Sequence, residues 1–202
     1  MEQGKLFVLS GPSGAGKGTI CKEIVRREKI GLSVSMTTRA PRGEEKHGKS
    51  YYFVSEEEFQ KNIDEGGFLE YAKIYGHSYG TPKKLVLGQL SKGKDIILEI
   101  EMQGAFQVKN VYPEGILIFV LPPSLAELRK RLIARGTEDE EDILIRQQAT
   151  LNEIALIHDY DYYVINDELE QAVDKVRSII KAEHSKVDKN VDRLIRKYEE
   201  EL

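Results

Sequence analysis

The residues that could do chemistry stand out first at Gly11-Pro12-Ser13-Gly14-Ala15-Gly16-Lys17-Gly18-Thr19. Backbone amides can wrap closely around phosphate oxygens only where no Cβ intervenes, and Gly11, Gly14 and Gly16 give the segment that freedom. Lys17 adds a flexible cation able to stay with a phosphoryl group as charge moves from donor to acceptor. Together they describe a loop that binds the phosphates of a nucleoside triphosphate and presents the terminal one for transfer. One position departs from the strict pattern: where a Ser or Thr hydroxyl would follow the lysine to ligate magnesium, the chain has Gly18 and only then Thr19. A second constellation, Ser35-Met36-Thr37-Thr38-Arg39-Ala40-Pro41-Arg42, sets two arginines three apart around a proline that favours extended backbone. Both guanidinium forks could then reach one anion, which makes this a candidate second phosphate site.

Elements that would position these groups can be read from the apolar pattern. Leu6–Leu9, Ile96–Ile100, Ile116–Leu121 and Tyr162–Ile165 are short, nearly continuous apolar runs, as expected of strands covered on both faces. Gly31–Met36 reads as a further core strand, because Leu32, Val34 and Met36 alternate with serines. The phosphate loop follows the first strand and precedes a helix starting near Lys17, whose N-terminal N–H groups would add partial positive charge. Helix starts are marked by capping-box spacing at Ser124 with Glu127 and at Thr137 with Glu140. Strands alternating with helices predict a doubly wound α/β fold built on a parallel sheet.

Residues 37–91 break that rhythm. Strands are expected at Tyr51–Val54 and Phe68–Ile74, and helices near Ser55 and at Thr81-Pro82, which together predict an inserted subdomain. Residues 125–157 read as two helices joined at Arg135-Gly136-Thr137, a candidate lid, and 185–202 as an amphipathic terminal helix. The core is then 1–36, 92–124 and 158–184.

Composition narrows the function classes. A net charge of −4 argues against a protein whose main task is to neutralise a nucleic-acid backbone. Cys21 is the sole cysteine, so neither an intrachain disulfide nor a cysteine zinc site can form, and a core role suits it better than a nucleophilic one. His47, His77, His158 and His184 lack metal-ligand spacing. No apolar run approaches the ~20 residues of a membrane span, so a cytoplasmic protein with no membrane partner is expected.

The segments GPSGAGKGT, SVSMTTRAPR, Gly48-Lys49-Ser50-Tyr51-Tyr52-Phe53, Glu70, Tyr79-Gly80-Thr81, LEIEMQGA, Arg135-Gly136-Thr137 and Val164-Ile165-Asn166-Asp167 resemble guanylate kinase from Leu6 to about His184. The resemblance implies a P-loop NTPase fold with a mixed α/β acceptor-binding subdomain and a helical lid, transferring phosphate from ATP to GMP or dGMP. It implies that Gly11 to Thr19 and Asn166 bind ATP, Asn166 at the adenine. It implies that Arg39, Arg42, Tyr51 and Tyr79 hold the GMP phosphate, that Ser35, Glu70 and Thr81 read guanine, and that Glu101 serves the same site. Lys17, Arg39, Arg135 and Arg146 would be the catalytic residues. Magnesium would accompany ATP, held by Thr19 or through water by Glu99. The family commonly has Asp where Glu101 stands, and some members have Asp at Glu99. Two other readings stay open: a different small-acceptor kinase of this fold, or a catalytically inactive binding module.

Overall fold

The computed structural model describes residues 3–74, 76–134, 150–187 and 191–201. Strand β1 (Leu6–Ser10) is buried along its whole length because both faces of its sheet are covered. Phe7 and Leu9 pack with Ile20 and Ile24 of α1 (Lys17–Arg27) and with Val173 and Val176 of the helix Leu169–His184. Leu6 and Val8 point the other way, to Val86 and Leu90 of α3 (Lys83–Leu90) and Ala105 and Val108 of α4 (Met102–Val111). At ~1.5–3 kcal/mol per buried large side chain, this two-sided core outweighs local propensities and sets the order of the layers.

The sheet is parallel throughout, in the order β2 (Gly31–Leu32), β7 (Ile96–Glu99), β1, β8 (Ile116–Leu121), β9 (Tyr162–Ile165). After β1 the chain places β2 at one edge, returns to insert β7 between β2 and β1, and then crosses to β8 and β9 on the other side, so the crevice for a ligand opens at the carboxyl end of β1. The four apolar runs predicted as strands are these four strands, with ends differing by at most one residue.

The expected strand Gly31–Met36 is instead split. Gly31 and Leu32 pair with Ile96 and Ile97, whereas Met36 and Thr37 form β3 (Met36–Thr37) in a second sheet. An alternating pattern records which side chains share a face, not which sheet each residue joins, and it hid this crossing. The second sheet runs β4 (Tyr52–Phe53), β3, β6 (His77–Pro82), β5 (Phe68–Ile74). β6 carries no apolar run and was not anticipated as a strand; it forms because it pairs antiparallel with both β3 and β5. Helix α2 (Glu56–Asp64) starts as expected, with Ser55 Oγ accepting from the Glu58 N–H at 3.1 Å, and stacks Phe59 on Phe68 with ring centres 4.6 Å apart.

Helix α5 (Leu125–Ala134) begins at its predicted cap, where Ser124 Oγ accepts from the Glu127 N–H. The Thr137 and Glu140 cap of the second lid helix lies outside the described residues, while residues 150–155, toward the end of that lid, are helical. In the terminal segment Val191–Glu199 is helical, with Ile195 and Tyr198 exposed.

Phe59 anchors α2 on the second sheet through its stack on Phe68. Phe59→Ala is expected to cost ~3–5 kcal/mol of unfolding free energy in a urea titration. A loss under ~1 kcal/mol would show that the Phe59–Phe68 stack does not anchor this sheet.

Candidate active site

The phosphate loop is held in shape from three sides. Gly11 has φ 137°, and a Cβ there would sit 2.3 Å from the Val120 carbonyl oxygen, so the loop presses directly against β8. A Cβ at Gly14 would lie 2.8 Å from Leu128 of α5. Gly16, at φ 91°, leaves room for Asn166, whose side-chain amide donates to the Ala15 carbonyl at 2.8 Å. Asn166 is buried at the end of β9, and here it braces the loop from within. Helix α1 starts at Lys17 with Gly16 as its N-cap, so no capping side chain competes for its first N–H groups. Lys17 is 8% exposed, and its ammonium donates to the Gly11 and Pro12 carbonyls at 2.6 and 3.2 Å.

Gly18 acquires a structural reason. A Cβ at this position would come within 2.9 Å of Glu99 Oε1, so the carboxylate ending β7 lies across the space that a Ser or Thr would fill. Thr19 is exposed one residue further along α1. The oxygen donors available around the loop are of the hard type that magnesium favours.

Across the cleft, Arg39 is buried and Arg42 exposed, so the two forks differ in setting despite their close spacing. Arg39 donates bidentately to Glu45 at 3.0 and 2.9 Å and lies 5.4 Å from the centre of the Tyr51 ring. The Glu45 carboxylate, and after it the Tyr79 hydroxyl, push the guanidinium pKa up. Arg39 in turn holds Glu45 below the ordinary carboxylate range. Tyr51 and Tyr79 meet edge to face at 6.0 Å, so Arg39, Tyr51 and Tyr79 form one cluster. Glu45 was missed in the sequence, since one glutamate in a charged loop carries no signal of its partner.

Glu70 sits just past a bulge in β5, where the register with β6 shifts between Phe68 and Glu70. The irregularity lets Leu69 enter the core while Glu70 faces Thr81 across the pair. Glu70 is 7% exposed and accepts from the Thr81 hydroxyl at 2.5 Å. Burial raises its pKa, against the lowering effect of hydrogen bonds from the Thr81 hydroxyl and backbone.

Lys17, Ser35, Tyr51, Glu70, Tyr79, Glu99 and Glu101 all line one cleft of about 1030 Å³, large enough for more than one small ligand. Thr81 joins through Glu70, and Arg39 through its tyrosines. Asn152, Glu153 and Leu156 also line it and had no sequence signal. Arg135 and Arg146 lie outside the described residues. Cys21 is a core residue whose thiol pKa burial pushes up, and among the described residues no group of His, Cys, Asp and Glu could hold a metal by itself.

The family model described as guanylate kinase matches residues 3–183. The chain is 55% identical over 195 residues to the guanylate kinase of Clostridium tetani, covering 96% of this chain and 94% of that one. It is 52% identical over 202 residues to the guanylate kinase of Caldanaerobacter subterraneus subsp. tengcongensis, covering 100% and 98%. Among solved structures, guanylate kinase from Anaplasma phagocytophilum superposes with a TM-score of 0.75 at 34% identity, over 96% of this chain and 94% of that one. With the parallel sheet and the phosphate loop at the end of its central strand, these matches place the chain in the guanylate kinase family.

Proposed function

We propose that the cleft between Lys17 and Glu70 is where this chain transfers the terminal phosphoryl group of ATP to GMP, giving ADP and GDP. The chain is an ATP:GMP phosphotransferase. The observation that carries the siting is that a phosphate-loop lysine and a buried carboxylate line one cavity, the first suited to a donor phosphate and the second to an acceptor base.

Glu70 accepts two parallel hydrogen bonds from the N1–H and exocyclic amine of guanine, with Ser35 and Thr81 beside it. Adenine presents a lone pair at N1, which the carboxylate repels, and a buried mismatch of that kind can discriminate by ~10⁴. Arg39, Arg42, Tyr51 and Tyr79 hold the acceptor phosphate. Arg39 exchanges the Glu45 carboxylate for phosphate oxygens, which offer its fork the same bidentate geometry. Glu101 supports this site from the start of α4.

On the donor side, amides from Gly11 to Thr19 cradle the triphosphate, and Asn166 stands near the adenine while bracing the loop. The acceptor phosphate is already ionised, so no general base is required, and positioning and charge neutralisation carry the reaction. Lys17 leaves the loop carbonyls to follow the transferring group. Arg135 and Arg146 close over the phosphates from the lid (125–157), while 37–91 holds the acceptor and the remainder through 184 forms the core. Arginines engaged only in the closed state supply ~10³–10⁵ in rate. Thr19 or, through water, Glu99 would hold magnesium, which when bound neutralises charge on the donor phosphates. Among the described residues no helix is long and apolar enough to cross a membrane.

In a coupled ADP-release assay with ATP and magnesium, turnover is expected with GMP and not with AMP, CMP or UMP. Turnover with another acceptor in place of GMP would overturn the guanine assignment. Lys17→Met should lower kcat by about 10² or more with the unfolding transition kept, since it removes the only mobile cation of the loop; near-normal turnover would refute the role. Glu70→Gln is expected to reduce kcat/KM for GMP by ~10²-fold or more with KM for ATP little changed. It should also alter stability in a pH-dependent way. Because the folded-state pKa of Glu70 is raised, its favourable contribution is present below ordinary carboxylate pKa values and lost as pH rises through the folded value. The neutral variant escapes that loss, so denaturant titrations should find it more stable than the parent at pH 7, with the difference vanishing below about pH 4.

A further inference from the structure

Helix α4 belongs to the core layer, yet it addresses two consecutive residues of the edge strand β5. Gly104 and Gln107 stand three apart, on one face of the helix. Gly104 lies against the Glu70 carboxyl, for a Cβ there would come within 3.0 Å of Glu70 Oε2. Gln107 takes the next residue by its backbone: its Oε1 accepts from the Tyr71 N–H at 3.0 Å and its Nε2 donates to the Tyr71 carbonyl at 3.1 Å. β5 is the outer strand of the second sheet, so these backbone groups face away from β6. A primary amide carries the same donor and acceptor pair as a peptide group, and Gln107 therefore does for Tyr71 what one residue of a neighbouring strand would do.

We propose that Gln107 is a positioning residue for the acceptor base, fixing the edge strand on α4 and thereby the Glu70 carboxylate that Gly104 accommodates. This rests on the assignment of Glu70 to guanine. The carboxylate is buried with its Thr81 hydrogen bond at 2.5 Å, so it has little room to be approximately placed. The bulge just before it makes β5 locally irregular and disrupts its ladder to β6 at this point. Gln107 anchors the strand one residue beyond the carboxylate, on the side away from β6. A methionine here keeps the size and helix propensity and loses both bonds; a glutamate keeps the acceptor for the Tyr71 N–H and loses the donor for its carbonyl.

The test is steady-state kinetics on the full chain with GMP and AMP as acceptors, for Gln107→Met, Gln107→Glu and Glu70→Gln, alongside hydrogen exchange at the Tyr71 amide. For Gln107→Met, KM for GMP should rise about tenfold with KM for ATP within about twofold, the preference for GMP over AMP should fall, and Tyr71 exchange should quicken. Gln107→Glu should show the same selective rise, about threefold, and it supplies the comparison should the methionine variant not fold. A merely structural glutamine would speed exchange or lower the unfolding midpoint while leaving the ratio of the two KM values unchanged; that result overturns the proposal. If Glu70→Gln loses GMP selectivity and both Gln107 variants keep it, the positioning role alone fails. If Glu70→Gln keeps it, the guanine assignment fails, and the positioning role with it.

Discussion

A loop that binds phosphate through its own amides must be held open without side chains of its own, and the surrounding core has to supply the rigidity that its glycines lack. Here β8 lies against Gly11, α5 against Gly14 and Asn166 against Gly16. Each contact is so close that a Cβ would collide with it, so the three glycines serve as points of support as well as of flexibility. The supports come from elements that arrive late in the chain, and they are in place only because β1 sits in the middle of the sheet with β8 and then β9 outside it. Central placement of β1, set by its two-sided burial, is therefore what the donor site depends on.

The acceptor side follows a different logic. Its sheet is small, and the specificity proposed for it rests on Glu70, a carboxylate that burial destabilises in the charged form. That energetic cost is compatible with folding because Thr81 donates to it and because the strand carrying it is clasped from outside by a core helix. The Arg39 fork is similarly kept charged and oriented by Glu45, at the end of the cleft lined by Tyr51 and Tyr79. Both sides thus hold charge ready in partly desolvated surroundings, where electrostatic interactions are stronger than in water.

Helix α4 connects the two halves. It follows β7 of the parallel sheet, buries Ala105 and Val108 in that core, and turns Gly104 and Gln107 toward β5. A helix whose buried face serves one sheet and whose flank serves another transmits the geometry of the first to the second, since packed cores resist gradual deformation.

Much of this was legible in the sequence. The four apolar runs of the parallel sheet, the start of α1 at Lys17 and the caps at Ser55 and Ser124 are local consequences of residue type and spacing, and they were readable as such. The shape of one loop was readable too, because Gly11, Gly14 and Gly16 all adopt the positive φ that their residue type permits. What the tertiary structure alone decided involves partners distant in sequence or pairing without a local pattern. The crossing of Gly31–Thr37 between two sheets, the strand β6, the pairing of Arg39 with Glu45, the Gln107 clasp and the reason for Gly18 all belong here. Each depends on which element lies alongside, and Gly18 shows why: its residue type breaks the expected motif, and only the carboxylate of Glu99, brought across by strand β7, explains what the missing side chain makes room for.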